Sequence, residues 1–245
     1  MRIGIFDSGI GGLTVLKELV NKYPNNEYIY IGDTLNVPYG NKTVKELFKL
    51  SCSIVDYLIN QKVDKIIIAC GTISSNLSDI LKCKYNIPII DIITPTINYL
   101  QKNNYNSIGV IATNMTVKSR VFSKKLQDKK LIEVACPKLV PSIESNDSDK
   151  INIILKEYLD IFKSKDIEIL VLGCTHYPTV EKNINNILNK DIKILNMAIP
   201  ILELFSDNTV SSINILFTKL DTNVIKNTKR ILNNIKYNID EIKLD

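Results

Sequence analysis

One histidine, His176, and no C-x-x-C pair occur in the 245 residues, which excludes the common zinc frameworks built from clustered cysteine and histidine. No stretch is rich enough in proline, or in glycine and serine, to serve as a flexible linker. Apolar runs such as Ile66–Cys70 are far below the roughly 18–20 residues that a membrane span needs. Between Arg2 and Asp7 stand only the uncharged residues Ile3 to Phe6, too few for the apolar core of a signal peptide. Basic runs are lacking as well: 31 Lys+Arg against 26 Asp+Glu leave a net charge of +5. That surplus welcomes an anionic small molecule but is too thin for a nucleic-acid footprint. The five cysteines (Cys52, Cys70, Cys83, Cys136 and Cys174) are odd in number and widely spaced, which speaks against a disulfide framework. Most would be small buried hydrophobes. The expectation is a cytoplasmic protein with a small-molecule partner and neither nucleic acid nor membrane.

What is present is the balance of a globular chain, 45% hydrophobic and 23% charged. Short β-branched runs at Ile3–Phe6, Tyr28–Ile31, Lys65–Ala69, Ile87–Ile90, Ile108–Ala112, Leu131–Ala135, Glu168–Leu172 and Ile192–Leu195 read as strands. Leu13–Lys22, Thr43–Gln61, Ser74–Lys84, Thr116–Leu126 and Asp149–Phe162 carry apolar residues at helical spacing, and a surface helix is expected after Asp221. Such alternation predicts an α/β fold of mostly parallel sheets flanked by helices. A weak internal repeat adds to this. Segment 2–8, RIGIFDS, resembles 107–113, SIGVIAT, at an offset of 105; 63–70, VDKIIIAC, resembles 167–174, IEILVLGC, at 104. Each pair is a strand with the turn that leaves it. Near-equal offsets predict two pseudo-symmetric lobes, residues 1–95 plus 206–245 and residues 96–205, each long enough to bury its own core. The active site would lie in the cleft between them.

In each half one cysteine ends a buried strand and precedes a hydroxyl-bearing turn: Cys70-Gly71-Thr72 and Cys174-Thr175-His176. Parallel α/β sheets bind ligands beyond the carboxyl ends of their strands, so facing lobes would set two thiols across one cleft. Two such groups, one protonated and one not, can take a proton from one face of a carbon and return one to the other. Cysteine, with an unperturbed pKa of about 8.5, suits both roles near neutrality. A helix starting just after Cys70 would favour its thiolate and offer N–H groups to a carboxylate.

FDSGIGGLTVLKEL at 6–19, YIGDTLNVPYG at 30–40, the C-x-T of 70–72, CPKLVPSIES at 136–145 and LGCTHYP at 172–178 resemble the cofactor-independent glutamate racemases. The resemblance spans about residues 2–180. It implies that Cys70 takes the α-proton from D-glutamate while Cys174 protonates the opposite face, with roles reversed for L-glutamate. It sets Asp7 near Cys70 and His176 near Cys174 as polar partners, and Glu144 beside the second thiol. Asp7, Ser8, Tyr39, Gly40, Gly71, Thr72, Thr116, Thr175 and His176 would contact substrate. No cofactor or metal is implied; a homodimer is, by analogy, as is a role in supplying D-glutamate for peptidoglycan.

Two positions depart from the family pattern. Gly71 stands where that pattern reads asparagine, and Asn196 where it more often carries aspartate. If Gly71 is merely a lost amide contact, restoring asparagine should raise kcat/KM for glutamate. Other readings draw on the same residues. Gly9-x-Gly11-Gly12 after a strand, with Asp33 downstream, suggests a dinucleotide site, although Thr14 occupies the last glycine position of G-x-G-x-x-G. A related isomerase or decarboxylase needs only altered carboxylate contacts, and damage at Gly71 would leave a silent binding protein.

Overall fold

Strand and helix alternate from Arg2 onward, as the apolar patterning requires. The computed structural model describes residues 1–188 and 192–244. In chain order the elements are β1 (Arg2–Asp7), α1 (Leu13–Lys22), β2 (Glu27–Gly32), α2 (Val44–Asn60), β3 (Lys65–Ile68), α3 (Gly71–Lys84), β4 (Ile89–Asp91) and α4 (Ile93–Lys102). Then follow β5 (Ser107–Ala112), α5 (Asn114–Ser119), α6 (Val121–Lys125), β6 (Lys130–Ala135), α7 (Leu139–Ser145), α8 (Ser148–Lys163), β7 (Ile169–Gly173) and α9 (Glu181–Leu188). The last are β8 (Lys193–Asn196), α10 (Ala198–Ile201), β9 (Ser212–Phe217), α11 (Thr222–Leu232) and β10 (Asn238–Glu241).

The strands form two parallel sheets, ordered β10-β9-β2-β1-β3-β4 and β6-β5-β7-β8. Ile3 of β1 lies opposite Tyr28 and Lys65; Ile108 of β5 lies opposite Leu131 and Ile169. The orders β2-β1-β3-β4 and β6-β5-β7-β8 are equivalent, so the repeat in the sequence is a repeat of architecture. Asp91 and Asn196 end the fourth strand of each unit. Asp91 Oδ1 accepts from the N–H of Ile93 and Thr94, and Asn196 Oδ1 from Ala198 N at 3.0 Å. The Asn196 departure thus falls on a turn whose one side-chain bond, from the Ala198 N–H, asparagine and aspartate can both accept.

Alternate side chains of each strand face opposite ways. Ile3, Ile5 and Ile67 of the first sheet and Ile108, Val110, Ile169 and Val171 of the second belong to one buried cluster. Phe6, Ile66 and Ile68 point the other way, into a cluster with Leu47 and Leu58 of α2. Leu170 and Leu172 join Leu155 and Leu159 of α8. Each lobe thus buries an outer core of its own, and the two sheets share an inner core besides.

Other differences are local. The helix expected over Thr116–Leu126 is two short helices, broken at Arg120, whose φ of 58° is left-handed. β9 and β10 extend the first sheet, a feature the sequence pattern did not indicate. α11 forms as expected after Asp221, whose carboxylate accepts from Asn223 N and Val224 N. Among the described residues no helix is long and apolar enough to cross a membrane.

Candidate active site

Asp7 ends β1, Cys70 follows β3, Cys136 follows β6 and Cys174 follows β7. A cavity of about 330 Å³ opens at these strand ends, a size suited to a small acid. Ser8, Tyr39, Gly40, Cys70, Gly71, Thr72, Glu144, Cys174, Thr175 and His176 all line it. Of the residues singled out in the sequence, Asp7 and Thr116 do not line it; both are fully buried.

Cys70 sits as the N-cap of α3, which begins at Gly71, three residues earlier than the sequence suggests. Its thiol donates to Ser8 Oγ at 3.6 Å. Burial pushes the thiol pKa up to about 12, and the charge of Asp7 adds to the rise; the Ile73 N–H and Ser8 oppose it. The helix terminus thus acts as expected on the sulfur but is outweighed by desolvation.

Cys174 has a different surrounding. His176 Nδ1 lies 3.8 Å from its sulfur, and His176 Nε2 lies 2.9 Å from Glu144 Oε1. Burial disfavours the charged imidazolium, but Cys174 and Glu144 on its two nitrogens prevail and hold the pKa well above the usual value. Glu144 therefore reaches the second thiol through the imidazole rather than directly.

Asp7 joins the two sides. Its Oδ1 accepts from Gly9 N at 2.9 Å and its Oδ2 from Thr175 Oγ1 at 3.2 Å. Burial raises its pKa, while His176 and these hydrogen bonds oppose the rise. Close approach here depends on Gly11, where a methyl group would overlap both His176 Nδ1 and Thr175 Oγ1. Thr116 stands behind the wall: Thr72 Oγ1 and Thr113 Oγ1 are 3.0 Å apart across the lobes, and Thr113 Oγ1 is 3.0 Å from Thr116 Oγ1. Thr113 has the cavity position expected of Thr116.

Gly71 is more than a missing amide. A Cβ at this position would lie 2.6 Å from the Gly173 carbonyl oxygen, so any side chain must push β7 away. The expectation that asparagine simply restores a contact is corrected on this ground. The dinucleotide reading also fails at Asp33, whose carboxylate is occupied by Tyr39 Oη, Asn36 Nδ2 and Thr218 Oγ1. Tyr39 lines the cavity with the proton of its hydroxyl committed to Asp33.

Sequence reasoning missed Cys136, Thr113 and Asn114, all on the cavity wall. Cys136 follows a strand just as Cys70 and Cys174 do, a signal that could have found it; burial pushes its thiol up to about 12. Asn114 carries a side-chain amide with no hydrogen-bond partner among the described residues. No group of three or more His, Cys, Asp or Glu among those residues is placed to hold a metal.

Two matching α/β units bring Cys70 and Cys174, both buried, to one small cavity at their strand ends. The chain belongs to the Asp/Glu/Hydantoin racemase family, whose family model matches residues 22–199. It is 37% identical to a glutamate racemase of Prochlorococcus marinus (strain NATL2A), covering 97% of this chain and 92% of that one. It is 41% identical to a glutamate racemase of Clostridium botulinum (strain Alaska E43 / Type E3), covering 79% and 78%. The crystal structure of glutamate racemase from Francisella tularensis subsp. tularensis SCHU S4, in complex with D-glutamate, superimposes with a TM-score of 0.89 at 32% identity, covering 100% and 98%.

Proposed function

We propose that the protein interconverts L- and D-glutamate by direct proton transfer at the α-carbon, without a cofactor. The lobes 1–95 plus 206–245 and 96–205 lend one thiol each. From L-glutamate, Cys174 removes the α-proton and Cys70 returns a proton to the opposite face; from D-glutamate the roles reverse. The observation that carries this reading is the unlike surroundings of two sulfurs on one cavity. Burial and Asp7 keep Cys70 as a thiol able to donate. The His176 imidazolium, 3.8 Å from Cys174 Sγ, balances charge when that sulfur is the base. When Cys70 takes its turn as base, the Ile73 N–H and Ser8 are the groups that stabilise its anion. Ser8, Thr72 and Asn114 offer hydroxyl and amide groups to the substrate carboxylates, while Thr175, whose hydroxyl donates to Asp7, lines the cavity beside them. We extend the reading to a cytoplasmic homodimer that supplies D-glutamate for peptidoglycan. All five cysteines are free, which fits a reducing compartment.

The test is solvent exchange. In D2O, either enantiomer of glutamate should gain deuterium at Cα with no added cofactor, while optical rotation decays to zero. Cys70→Ser and Cys174→Ser should each lower the racemisation rate by about 10²–10⁴-fold, the usual worth of a positioned proton-transfer group. Full racemisation by either variant would overturn the assignment.

A further inference from the structure

α11 belongs to the segment that completes the first sheet, yet it reaches the second lobe at the end of α7. Asn227 and Arg230 lie three residues apart, on one face of this helix. Asn227, only 2% exposed, donates Nδ2 to the Glu144 carbonyl oxygen at 3.2 Å. Arg230 donates to the Ile143 carbonyl oxygen at 3.4 Å and also to Asn146 Oδ1. Asn146 is the left-handed cap of α7, with φ of 55°. A helix end leaves its last carbonyls without partners in the helix, and α7 has only seven residues with which to hold itself. The Asn146 N–H caps the Ile143 carbonyl at 3.1 Å; α11 gives that carbonyl a second donor and supplies the donor to the Glu144 carbonyl. From there the contacts run in series: Glu144 Oε1 to His176 Nε2 at 2.9 Å, and His176 Nδ1 to Cys174 Sγ at 3.8 Å.

We propose that Asn227 and Arg230 are positioning residues for the second thiol, clamping the end of α7 so that Glu144 stays on His176 and His176 on Cys174. The clamp is read from hydrogen bonds alone; its catalytic consequence rests on the role proposed for Cys174. One half of the molecule thus aligns the proton-transfer group of the other. Loosening it lets Glu144 drift and leaves the imidazole with a weaker anionic partner. The ring faces Glu144 from α7, Cys174 from the end of β7 and Asp7 from β1. Burial alone would lower its pKa, so weakening the Glu144 contact moves the titration down.

His176 is the one histidine in the chain, so its ring signals in an NMR titration need no assignment. In Asn227→Ala and in Arg230→Ala the midpoint should fall toward the value of a free imidazole, about 6.5. kcat should fall roughly 10- to 100-fold, the scale of a displaced reacting group, with KM changed less. Arg230→Lys keeps the charge but not the fork, and should give smaller shifts in the same direction. Thr228→Val alters a buried hydroxyl of the same helix that has no hydrogen-bond partner among the described residues and should move neither readout. An unmoved His176 midpoint in the folded variants, Arg230→Lys included, overturns the clamp whatever the activity does. A moved midpoint with unchanged kcat overturns its catalytic consequence. If the unmodified protein fails to racemise glutamate while the midpoint still moves, the clamp stands and only the reading of the chemistry falls.

Discussion

Asp7 is held at a cost to its own acidity. Desolvation raises its carboxyl pKa, and the nearby imidazole and hydrogen bonds only partly offset the rise. A raised native-state value means that the contribution of Asp7 to stability is fully present below the unfolded pKa, near 3.9, and is lost as pH climbs through the native value. Asp7→Asn keeps an oxygen for Gly9 N and removes the buried charge. Its melting temperature should match that of the parent near pH 4 and exceed it at pH 7.5, with each kcal/mol gained worth about 2–4 °C at this chain length. Racemisation should drop sharply in the same variant. Calorimetry at both pH values checks the sign; a variant less stable at pH 7.5 than the parent would show that Asp7 is a structural cap instead.

At the scale of elements, the approach of α3 to β7 is decisive. Gly71 lets the first turn of α3 pass the Gly173 carbonyl, where a Cβ would sit at 2.6 Å. Gly71→Ala should cost about 1–3 kcal/mol, as overpacking does, seen as a lower denaturation midpoint. Gly71→Asn should lower kcat/KM for glutamate rather than raise it; a rise would mean that β7 yields freely. The first eight strands were legible because each carries a β-branched apolar run, most of them set apart by segments of helical periodicity. β9 and β10 were not. Residues 212–217 alternate buried with half-buried, and 238–241 are mostly exposed, so neither resembles the fully apolar strands of the centre. α4 and α7 hid for another reason: a proline falls within each, Pro95 and Pro141, near the first turn where a helix tolerates it. The two thiols could be placed from strand ends alone. Thr113 and Asn114 could not, because their place on the wall depends on how the lobes meet.

Across the whole molecule the halves are joined by more than apolar contact. Thr14 Oγ1 of α1 lies 2.8 Å from the Thr175 carbonyl oxygen, beside the second thiol. Thr14→Val keeps the shape and leaves that buried carbonyl without its donor, a loss of about 1–3 kcal/mol, or some 2–4 °C in melting temperature per kcal/mol. Because the inner core draws on both sheets, the variant should still melt in one calorimetric transition. Two resolved peaks would mean that the lobes unfold separately. The first sheet, built from both ends of the chain, has one more consequence, for the order of assembly on the ribosome. β2 waits for β9 as its neighbour, whereas all four strands of the second sheet are made before β9 emerges. At roughly 5–20 residues per second, the N-terminal half stands with an open edge for on the order of ten seconds while the later half is already able to close. Translation speed over the intervening stretch therefore governs how long that edge can capture a stray strand.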